Sequence, residues 1–230
     1  MSAPEAAAVQ TAPPSVWHMY RAMVGIGIIC GLLIVGVYEL TRPVIAANKA
    51  EYLQQSIFKV LPDATASKTF RVSGDEGFEL LTGEPVAGEP LVYAGYDDGG
   101  ALVGLALEAS GMGYQDVIRV LYGYSYDNDA VIGIRVLDSK ETPGLGDKIE
   151  TDPAFVENFV RLDVSLTADG SAIANPIVAV KNGEKENAWE IDGITGATIS
   201  SVAIANLLNK NTSYWVPRLR DNLDDFRNVE

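Results

Sequence analysis

The feature that most limits the fold of this chain is an uncharged run near its start, AMVGIGIICGLLIVGVY, at positions 22–38. Arg21 precedes the run and Glu39 follows it. With its flanking residues, the run is just long enough to cross a bilayer core of about 30 Å as a helix. It is also longer than the apolar segment of a usual signal peptide, although VIA at 44–46 would allow cleavage. We therefore predict an uncleaved transmembrane anchor over residues 21–41.

The residues on either side of this anchor do not determine its orientation in the membrane. Residues 1–20 include an Ala- and Pro-rich stretch, MSAPEAAAVQTAPPSV, which predicts a disordered tail. Arg21 lies on one side of the apolar run, while Arg42 and Lys49 lie on the other, so the positive-inside rule does not orient the helix. Residues 42–65 carry apolar side chains at helical spacing, which predicts an amphipathic helix that connects the anchor to a domain.

Composition excludes several classes of site. The formal net charge of −14 repels phosphate backbones, so a nucleic-acid partner is not expected. The single cysteine, Cys30, and the single histidine, His18, both lie near the start of the chain. An internal disulfide, a thiolate zinc site and a cysteine-ligated iron–sulfur cluster are therefore excluded. Catalysis by a Ser–His or Cys–His pair within the later part of the chain is excluded for the same reason.

Residues 66–230 alternate between strand and helix signals and predict one α+β domain, with a mainly antiparallel sheet and flanking helices. The clearest element is a hairpin, DVIRVLYGYSY followed by AVIGIRVLD, with its turn at 127–129. The stretch DPAFVENFV predicts a short helix with Asp152 as its N-cap. A last helix, TISSVAIANLLNK, is expected to have one apolar face, with Ile199, Val202, Ala203, Ala205 and Leu208 near it.

Small and hydroxyl-bearing residues crowd the stretch EIDGITGATISS, at 190–201, where a strand-like segment gives way to a helix. The first N–H groups of a helix lack backbone partners, and the helix dipole is positive at that end, so a phosphate is favoured there. Gly196 and Ala197 would let a ligand approach the backbone. The hydroxyls of Thr195 and Thr198 would then serve a phosphate or simply cap the helix, and a plain cap is the simpler interpretation.

A second stretch, KETPGLGDKIE at 140–150, follows the hairpin directly. Its proline and two glycines predict an irregular turn in which Gly144 and Gly146 allow a positive φ or close contact with a flat group. Glu141 and Thr142 offer an acceptor and a hydroxyl beside that turn. A tight connection between strand and helix would explain the same residues without a ligand.

Together the two stretches resemble a known family, the FMN-binding subunits of membrane respiratory complexes. DGITGATISS resembles the family's Ser/Thr-Gly-Ala-Thr segment, and ETPGLGDKIE resembles its second shared block. Members include the G subunit of the Rnf ion-translocating ferredoxin:NAD oxidoreductase and the C subunit of the sodium-pumping NADH:quinone reductase. The likeness covers most of the chain, because the anchor, GMGYQDVIRVLYGY, ETPGLGD and TGAT follow in family order. Chain length and ETPGLGDKIE favour the Rnf branch.

The resemblance implies a covalent cofactor. FMN would be joined through its phosphate to the hydroxyl of Thr198, the last residue of the motif, by a separate flavin transferase. The phosphate would then lie at the helix start that the dipole argument favours. A flavin link through histidine or cysteine is not available, because the domain has neither residue.

We expect the flavin ring to be held by the loop at 141–147. Gly144 would let the backbone approach one side of the ring, and Leu145 would cover a face. Glu141 and Thr142 would hydrogen-bond polar ring or ribityl atoms and so tune the potential. The expected cofactor contacts are Thr195, Gly196, Ala197, Thr198, Glu141, Thr142, Gly144 and Leu145, with no metal ligand and no residue that is catalytic alone.

The chain is thus predicted to be an electron-transfer subunit of an Rnf-type ion-translocating ferredoxin:NAD oxidoreductase, with the other subunits as its partners. The resemblance implies a bacterial or archaeal cytoplasmic membrane, with residues 66–230 outside the cytoplasm. Two alternatives remain. The C subunit of the sodium-pumping quinone reductase would have the same anchor and flavin, whereas an anchored binding or scaffold domain without a cofactor would be colourless.

Overall fold

The computed structural model of this chain describes residues 16–74, 77–86 and 88–227. It divides into two compact units, Met1–Ala50 and Glu51–Glu230. The first unit carries the predicted anchor, and the second carries the predicted domain.

The described part of the first unit is helical, within helix α1, which begins at Val16 and ends at Val60. Its apolar window is long and apolar enough to cross a membrane, and none of that window is buried against protein. The tail predicted at 1–20 falls mostly outside the described residues, but Val16–Tyr20 are already helical. The helix contains Pro43 and continues past it.

The second unit confirms the predicted α+β class. Among the described residues, its main sheet has the antiparallel order β2-β1-β3-β4-β5-β6-β7. These strands are β1 Ala66–Val72, β2 Phe78–Leu80, β3 Leu91–Tyr96, β4 Leu102–Met112, β5 Val117–Ser125, β6 Ala130–Asp138 and β7 Leu162–Asp163. Two further strands, β8 Val178–Val180 and β9 Glu190–Asp192, pair in parallel. The helices after α1 are α2 Lys148–Thr151, α3 Pro153–Glu157, α4 Thr198–Asp221 and α5 Leu223–Arg227.

The predicted hairpin is the pair β5–β6, which are antiparallel with Tyr122 opposite Ile134. Its turn places Asp129 at a φ of 45°, a left-handed conformation that aspartate tolerates better than most residues. The predicted N-cap of α3 is confirmed as well, because the Asp152 side chain accepts a hydrogen bond from the backbone N–H of Ala154. Local sequence signals were therefore sufficient for these elements.

The end of α1 lies within the second unit and packs on one face of the sheet. Val60 and Leu61 are buried there, and the strands beneath them carry glycines instead of side chains. A Cβ added at Gly133 would lie 2.8 Å from the Cα of Val60, and one at Gly123 would overlap the Val60 carbonyl. The sheet therefore accepts the helix end only because these positions are glycine.

The opposite face of the sheet packs against α4 around the larger hydrophobic core. The inward residues of α4 include Ile204, Leu208 and Val216, which are fully buried. Tyr122 and Tyr124 lie in the same core, where their hydroxyls reach the side chains of Asn211 and Asp129. This packing holds the start of α4 near one end of the sheet, where the loops after β4 and β6 also lie.

Candidate functional site

Three segments that are distant in sequence line one cavity of about 380 Å³. They are the β4–β5 loop, the loop between β6 and α2, and the start of α4. The residues that line the cavity are Tyr114, Glu141, Thr142, Leu145, Gly146, Gly196, Ala197, Thr198, Ile199 and Ser200. The structure thus brings together the two stretches that the sequence singled out.

Most of the predicted contacts line this cavity, and two do not. Glu141, Thr142, Leu145, Gly196, Ala197 and Thr198 all line it. Thr195 is exposed and Gly144 has open space around it, and neither lines the cavity. Gly144 instead has a φ of 77°, so its role in the structure is to let the loop turn.

The start of α4 has no side-chain cap, which answers the question that the sequence left open. Ala197 occupies the N-cap position, and no side chain there accepts a hydrogen bond. Thr198 is exposed at the cavity edge. Gly196, just before the cap, has a φ of 86° and is therefore a position for glycine. The helix start thus offers N–H groups and a hydroxyl to the cavity.

The hydroxyls of this stretch divide into separate roles. Ser201 is buried, donates to the carbonyl of Ala197 at 3.0 Å and accepts from the N–H of Ile194 at 3.1 Å. Ser200 is buried and donates to Glu141. The Thr198 hydroxyl forms neither the backbone hydrogen bonds of Ser201 nor the bond of Ser200 to Glu141. Of these three hydroxyls, only that of Thr198 is exposed.

Glu141 is the most constrained polar residue of the site. Its side chain is 6% exposed, and one carboxylate oxygen accepts from the N–H of Gln115 at 2.9 Å while the other accepts from Ser200. Burial raises the pKa of Glu141, but these hydrogen bonds and the nearby amides of Tyr114 and Asp116 outweigh it and hold the pKa below its ordinary value. The carboxylate is therefore ionised at neutral pH.

Two glycines make room for that carboxylate. A Cβ at Gly113 would lie 2.5 Å from one Glu141 oxygen, and a Cβ at Gly146 would lie 2.5 Å from the other. The added atom at Gly146 would also lie 2.8 Å from the Ser200 hydroxyl. Any side chain at either position would push the carboxylate out of its hydrogen bonds.

Thr142 joins two of the three segments. Its hydroxyl donates to the side-chain oxygen of Gln115 at 3.1 Å, and its carbonyl accepts from the N–H of Leu145 at 3.1 Å. The loop after β6 is therefore held against the β4–β5 loop through Gln115, which also reaches Glu141 through its backbone. The wall of the cavity is a hydrogen-bonded unit.

The apolar part of the wall is open to solvent. Leu145 is 51% exposed and Ile199 is 57% exposed, and Tyr114 is more exposed than either. Of the apolar face predicted for the last helix, Ala203, Ala205 and Leu208 are buried, but Ile199 and Val202 are exposed, so the prediction is wrong for those two residues. Ser200 and Ser201 take the inward positions because their hydroxyls bind Glu141 and Ala197, and this turns Ile199 toward the cavity.

Sequence reasoning does not assign Tyr114, Ile199 and Ser200 to the site, and it names Gly146 only as part of the loop and not among the expected contacts. The segment GMGYQD, which contains Tyr114, is conspicuous for its glycines, and its position before β5 is the signal that it lies beside the loop after β6. Ser200 gives no such signal, because a serine in the first turn of a helix is usually unremarkable.

Positive side chains are missing from the described lining of the cavity. Among those residues, none is a lysine or an arginine. Lys140, next to Glu141 in sequence, instead pairs with Asp116 at 2.5 Å and is exposed. Positive potential toward a bound anion therefore comes, within this lining, from the start of α4.

Comparison with known families agrees with this geometry. A family model described as an FMN-binding domain matches residues 113–212, which span all three segments of the cavity. The G subunit of the ion-translocating oxidoreductase complex from Methanosarcina acetivorans is 33% identical over 196 residues, 84% of this chain and 90% of that protein. The protein of the same name from Cereibacter sphaeroides is 30% identical over 202 residues, 82% of this chain and 78% of that protein.

Solved structures share the fold at lower identity. Shewanella oneidensis NqrC has a TM-score of 0.50 and 17% identity, and the match covers 76% of this chain and 86% of that one. The C subunit of the sodium-translocating NADH-quinone reductase from Parabacteroides distasonis has a TM-score of 0.50 and 20% identity, covering 73% and 79%. The identity and coverage of the first two relatives decide the family. This chain belongs to the family of the G subunits of ion-translocating oxidoreductase complexes.

Proposed function

We propose that this chain is the FMN-bearing electron-transfer subunit of an Rnf-type ion-translocating ferredoxin:NAD oxidoreductase. The observation that carries the proposal is the single cavity formed by the 141–146 loop and the start of α4, with the Thr198 hydroxyl at its edge. The FMN-binding family match and the relatives named as G subunits support the same function. When bound, FMN would supply the redox chemistry, and the chain would hold and tune it.

We propose that the phosphate of FMN is esterified to the hydroxyl oxygen of Thr198. A phosphate there would face the N–H groups at the uncapped start of α4, where the helix dipole favours an anion. No lysine or arginine among the described lining residues is available to hold a free phosphate by charge. A covalent ester removes that need, because the cofactor cannot then dissociate.

The ester would be made by a separate flavin transferase. The Thr198 oxygen would attack the flavin phosphorus of a flavin pyrophosphate ester. The new O–P bond would form as the P–O bond to the second phosphate breaks, that phosphate ester would leave with the bonding electron pair, and the hydroxyl proton would pass to solvent. The exposure of Thr198 supports this route, because a second protein must reach the hydroxyl. Gly196 lacks a side chain directly before the helix, which leaves that approach open.

The apolar residues of the cavity wall would contact the flat ring of the cofactor, and the polar residues would contact its polar atoms. Leu145, Ile199 and Tyr114 present apolar surface to the cavity, suited to the flat ring. Thr142 presents a hydroxyl whose oxygen still has acceptor capacity beyond its bond to Gln115. Gly144 does not line the cavity; its positive φ sets the conformation of the loop that does.

The C subunit of the sodium-pumping quinone reductase is a second candidate, favoured only by the shared fold of the solved structures. The identity of the subunits that purify with this chain separates the two. A scaffold domain without a cofactor is disfavoured by the hydroxyls, since Thr198 does not cap the helix.

Helix α1 and membership in a family of ion-translocating complex subunits indicate a membrane-anchored protein. We propose that the anchor is uncleaved and that residues 66–230 lie outside the cytoplasm of a bacterial or archaeal cell. The support for this side is the family resemblance, because the flanking charges do not orient the helix.

The test is denaturation of the protein made in its native host. Flavin that stays with the polypeptide on a denaturing gel, together with copurification of the other complex subunits, is expected. A colourless protein after native purification would contradict the proposal as a whole. Flavin that is present before denaturation and lost on denaturation would contradict the covalent link alone.

A further inference from the structure

The carboxylate of Glu141 is a buried charge in the wall of the cavity. Glu141 is 6% exposed and lines the cavity from the loop after β6, whereas Thr198 lines it from the start of α4. Each of its oxygens has a defined donor, the N–H of Gln115 for one and the hydroxyl of Ser200 for the other. The charge is therefore fixed in position and does not swing into solvent.

All of these donors are neutral. Among the described residues, Glu141 forms no ion pair, and its neighbour Lys140 is directed to Asp116 instead. Hydrogen bonds from neutral groups keep a carboxylate ionised, but they leave its net charge in place. The hydrogen bonds and the nearby amides hold the pKa of Glu141 below its ordinary value, so the charge persists across the neutral range.

The surrounding chain is shaped to keep this carboxylate where it is. Gly113 and Gly146 lack the Cβ atoms that would strike its two oxygens. Ser200 takes an inward position on α4 and donates a hydrogen bond to this carboxylate, while the apolar Ile199 is turned outward. If pinning the loops were the only requirement, a neutral glutamine would make hydrogen bonds to the same two partners.

We propose that Glu141 is a positioning residue with an electrostatic role: its fixed negative charge lowers the reduction potential of the flavin held in this cavity. This inference rests on the proposed function. Two-electron reduction with uptake of one solvent proton leaves the flavin ring with one additional negative charge, while Glu141 itself neither gains nor loses a proton. A carboxylate near the ring repels the added electrons, and the low dielectric of the wall makes that repulsion stronger than in water.

The test compares midpoint potentials of the full-length chain, carrying its flavin from the native host and purified in detergent. Dithionite supplies the electrons, the buffer supplies the protons, and visible absorbance reports the reduced fraction. In Glu141→Gln, the ratio of reduced to oxidised flavin at a fixed potential is expected to rise roughly tenfold, the effect of removing one charge at about 10 Å in a medium with an effective dielectric constant of about 20. The flavin becomes easier to reduce.

Two control variants separate the effect of the Glu141 charge on the potential from the effect of its hydrogen bonds and from that of a distant charge. Ser200→Ala removes one hydrogen bond but keeps the carboxylate, so its potential is expected not to rise. Glu157→Gln removes an exposed charge on α3, away from the cavity lining, and is expected to leave the potential unchanged. A rise in Ser200→Ala equal to that in Glu141→Gln would overturn the proposal, because Ser200→Ala alters the hydrogen bonding of Glu141 but keeps its charge.

An unchanged potential in folded, flavin-bearing Glu141→Gln would also overturn it. Should that variant not fold, redox-difference infrared spectra of the wild type take its place. A carboxylate band must then shift on flavin reduction and must move again in Ser200→Ala, and its absence counts against the proposal. A wild-type chain without flavin would contradict the proposed function instead, so the two failures are distinguishable.

Discussion

The hydroxyl of Ser200, in the first turn of α4, donates a hydrogen bond to the carboxylate of Glu141, 59 positions earlier in the chain. This contact closes the cavity wall between the loop after β6 and the helix that begins at Thr198. Glu141 also accepts a hydrogen bond from the backbone N–H of Gln115, which lies in a third segment, the β4–β5 loop. The local order of the site therefore depends on a few polar contacts that can be tested one by one.

Thr198→Ala is expected to abolish covalent flavin and leave the fold intact. The side chain is exposed and caps nothing, so the free energy of unfolding should change by less than about 0.5 kcal/mol. In-gel fluorescence after denaturation measures the link, and thermal unfolding measures the fold. Thr198→Ser and Thr195→Ala serve as controls that should both keep the flavin. A peptide map with unmodified Thr198 in flavin-bearing protein would refute the assignment.

Gly146→Ala is expected to change the flavin environment more than Gly144→Ala. The added methyl at Gly146 would lie 2.5 Å from Glu141 and would displace the wall. At Gly144 the added methyl meets open space, and the cost is backbone strain from a φ of 77°, of about 1 kcal/mol. Visible absorption and fluorescence of the flavinylated variants provide the comparison. Equal spectral changes in the two variants would show that the Glu141 wall is not what the ring contacts.

Gly123→Ala is expected to destabilise the domain by at least about 2 kcal/mol, because its methyl group would overlap the carbonyl of Val60. Denaturant unfolding of the full chain in detergent gives the value. Gly74→Ala is the matched control, since a Cβ there meets no atom within 4 Å and φ is not positive. If the two variants unfold alike, the end of α1 does not pack on the sheet as described.

The stability contributed by Glu141 is expected to depend on pH. Its pKa in the folded state lies below the ordinary 4.5, so folding favours the ionised form. The contribution is complete above that ordinary value and is lost as the pH falls through the lower folded-state pKa. The gap in unfolding free energy between wild type and Glu141→Gln, both made without flavin, should therefore shrink between pH 7 and pH 3. A gap that stays constant would mean that the carboxylate contributes no charge-dependent stability.

The membrane-extracted protein is expected to retain residues 22–38. The apolar run is long enough to span a bilayer and lies within a helix that continues past it. Intact-mass measurement gives the mature N-terminus, and a start near Ala47 would show a cleaved signal. Protease added to intact spheroplasts should digest the domain, whereas a protected domain would place it on the cytoplasmic side.

Much of the fold was predictable because its signals are local. The anchor follows from hydropathy alone, the β5–β6 hairpin from its alternation and turn, and the α3 cap from Asp152. The position of α4 was also predictable from its start near Thr198. The inward face of that helix was predictable only in part: Ala205 and Leu208 are buried as expected, but Ile199 is exposed because the buried Ser200 contacts Glu141, which is far away in sequence.

The sequence by itself determined the elements and the two chemical stretches, because propensity, apolar spacing and turn residues act over a few positions. Only the tertiary structure decided that these stretches share one cavity, that Thr198 is exposed while Ser200 and Ser201 are not, and that Glu141 is buried. Those outcomes depend on contacts between segments tens of residues apart, such as Ser200 with Glu141 and Gly123 with Val60. These contacts form when the sheet and α4 pack together, and no local sequence pattern predicts them.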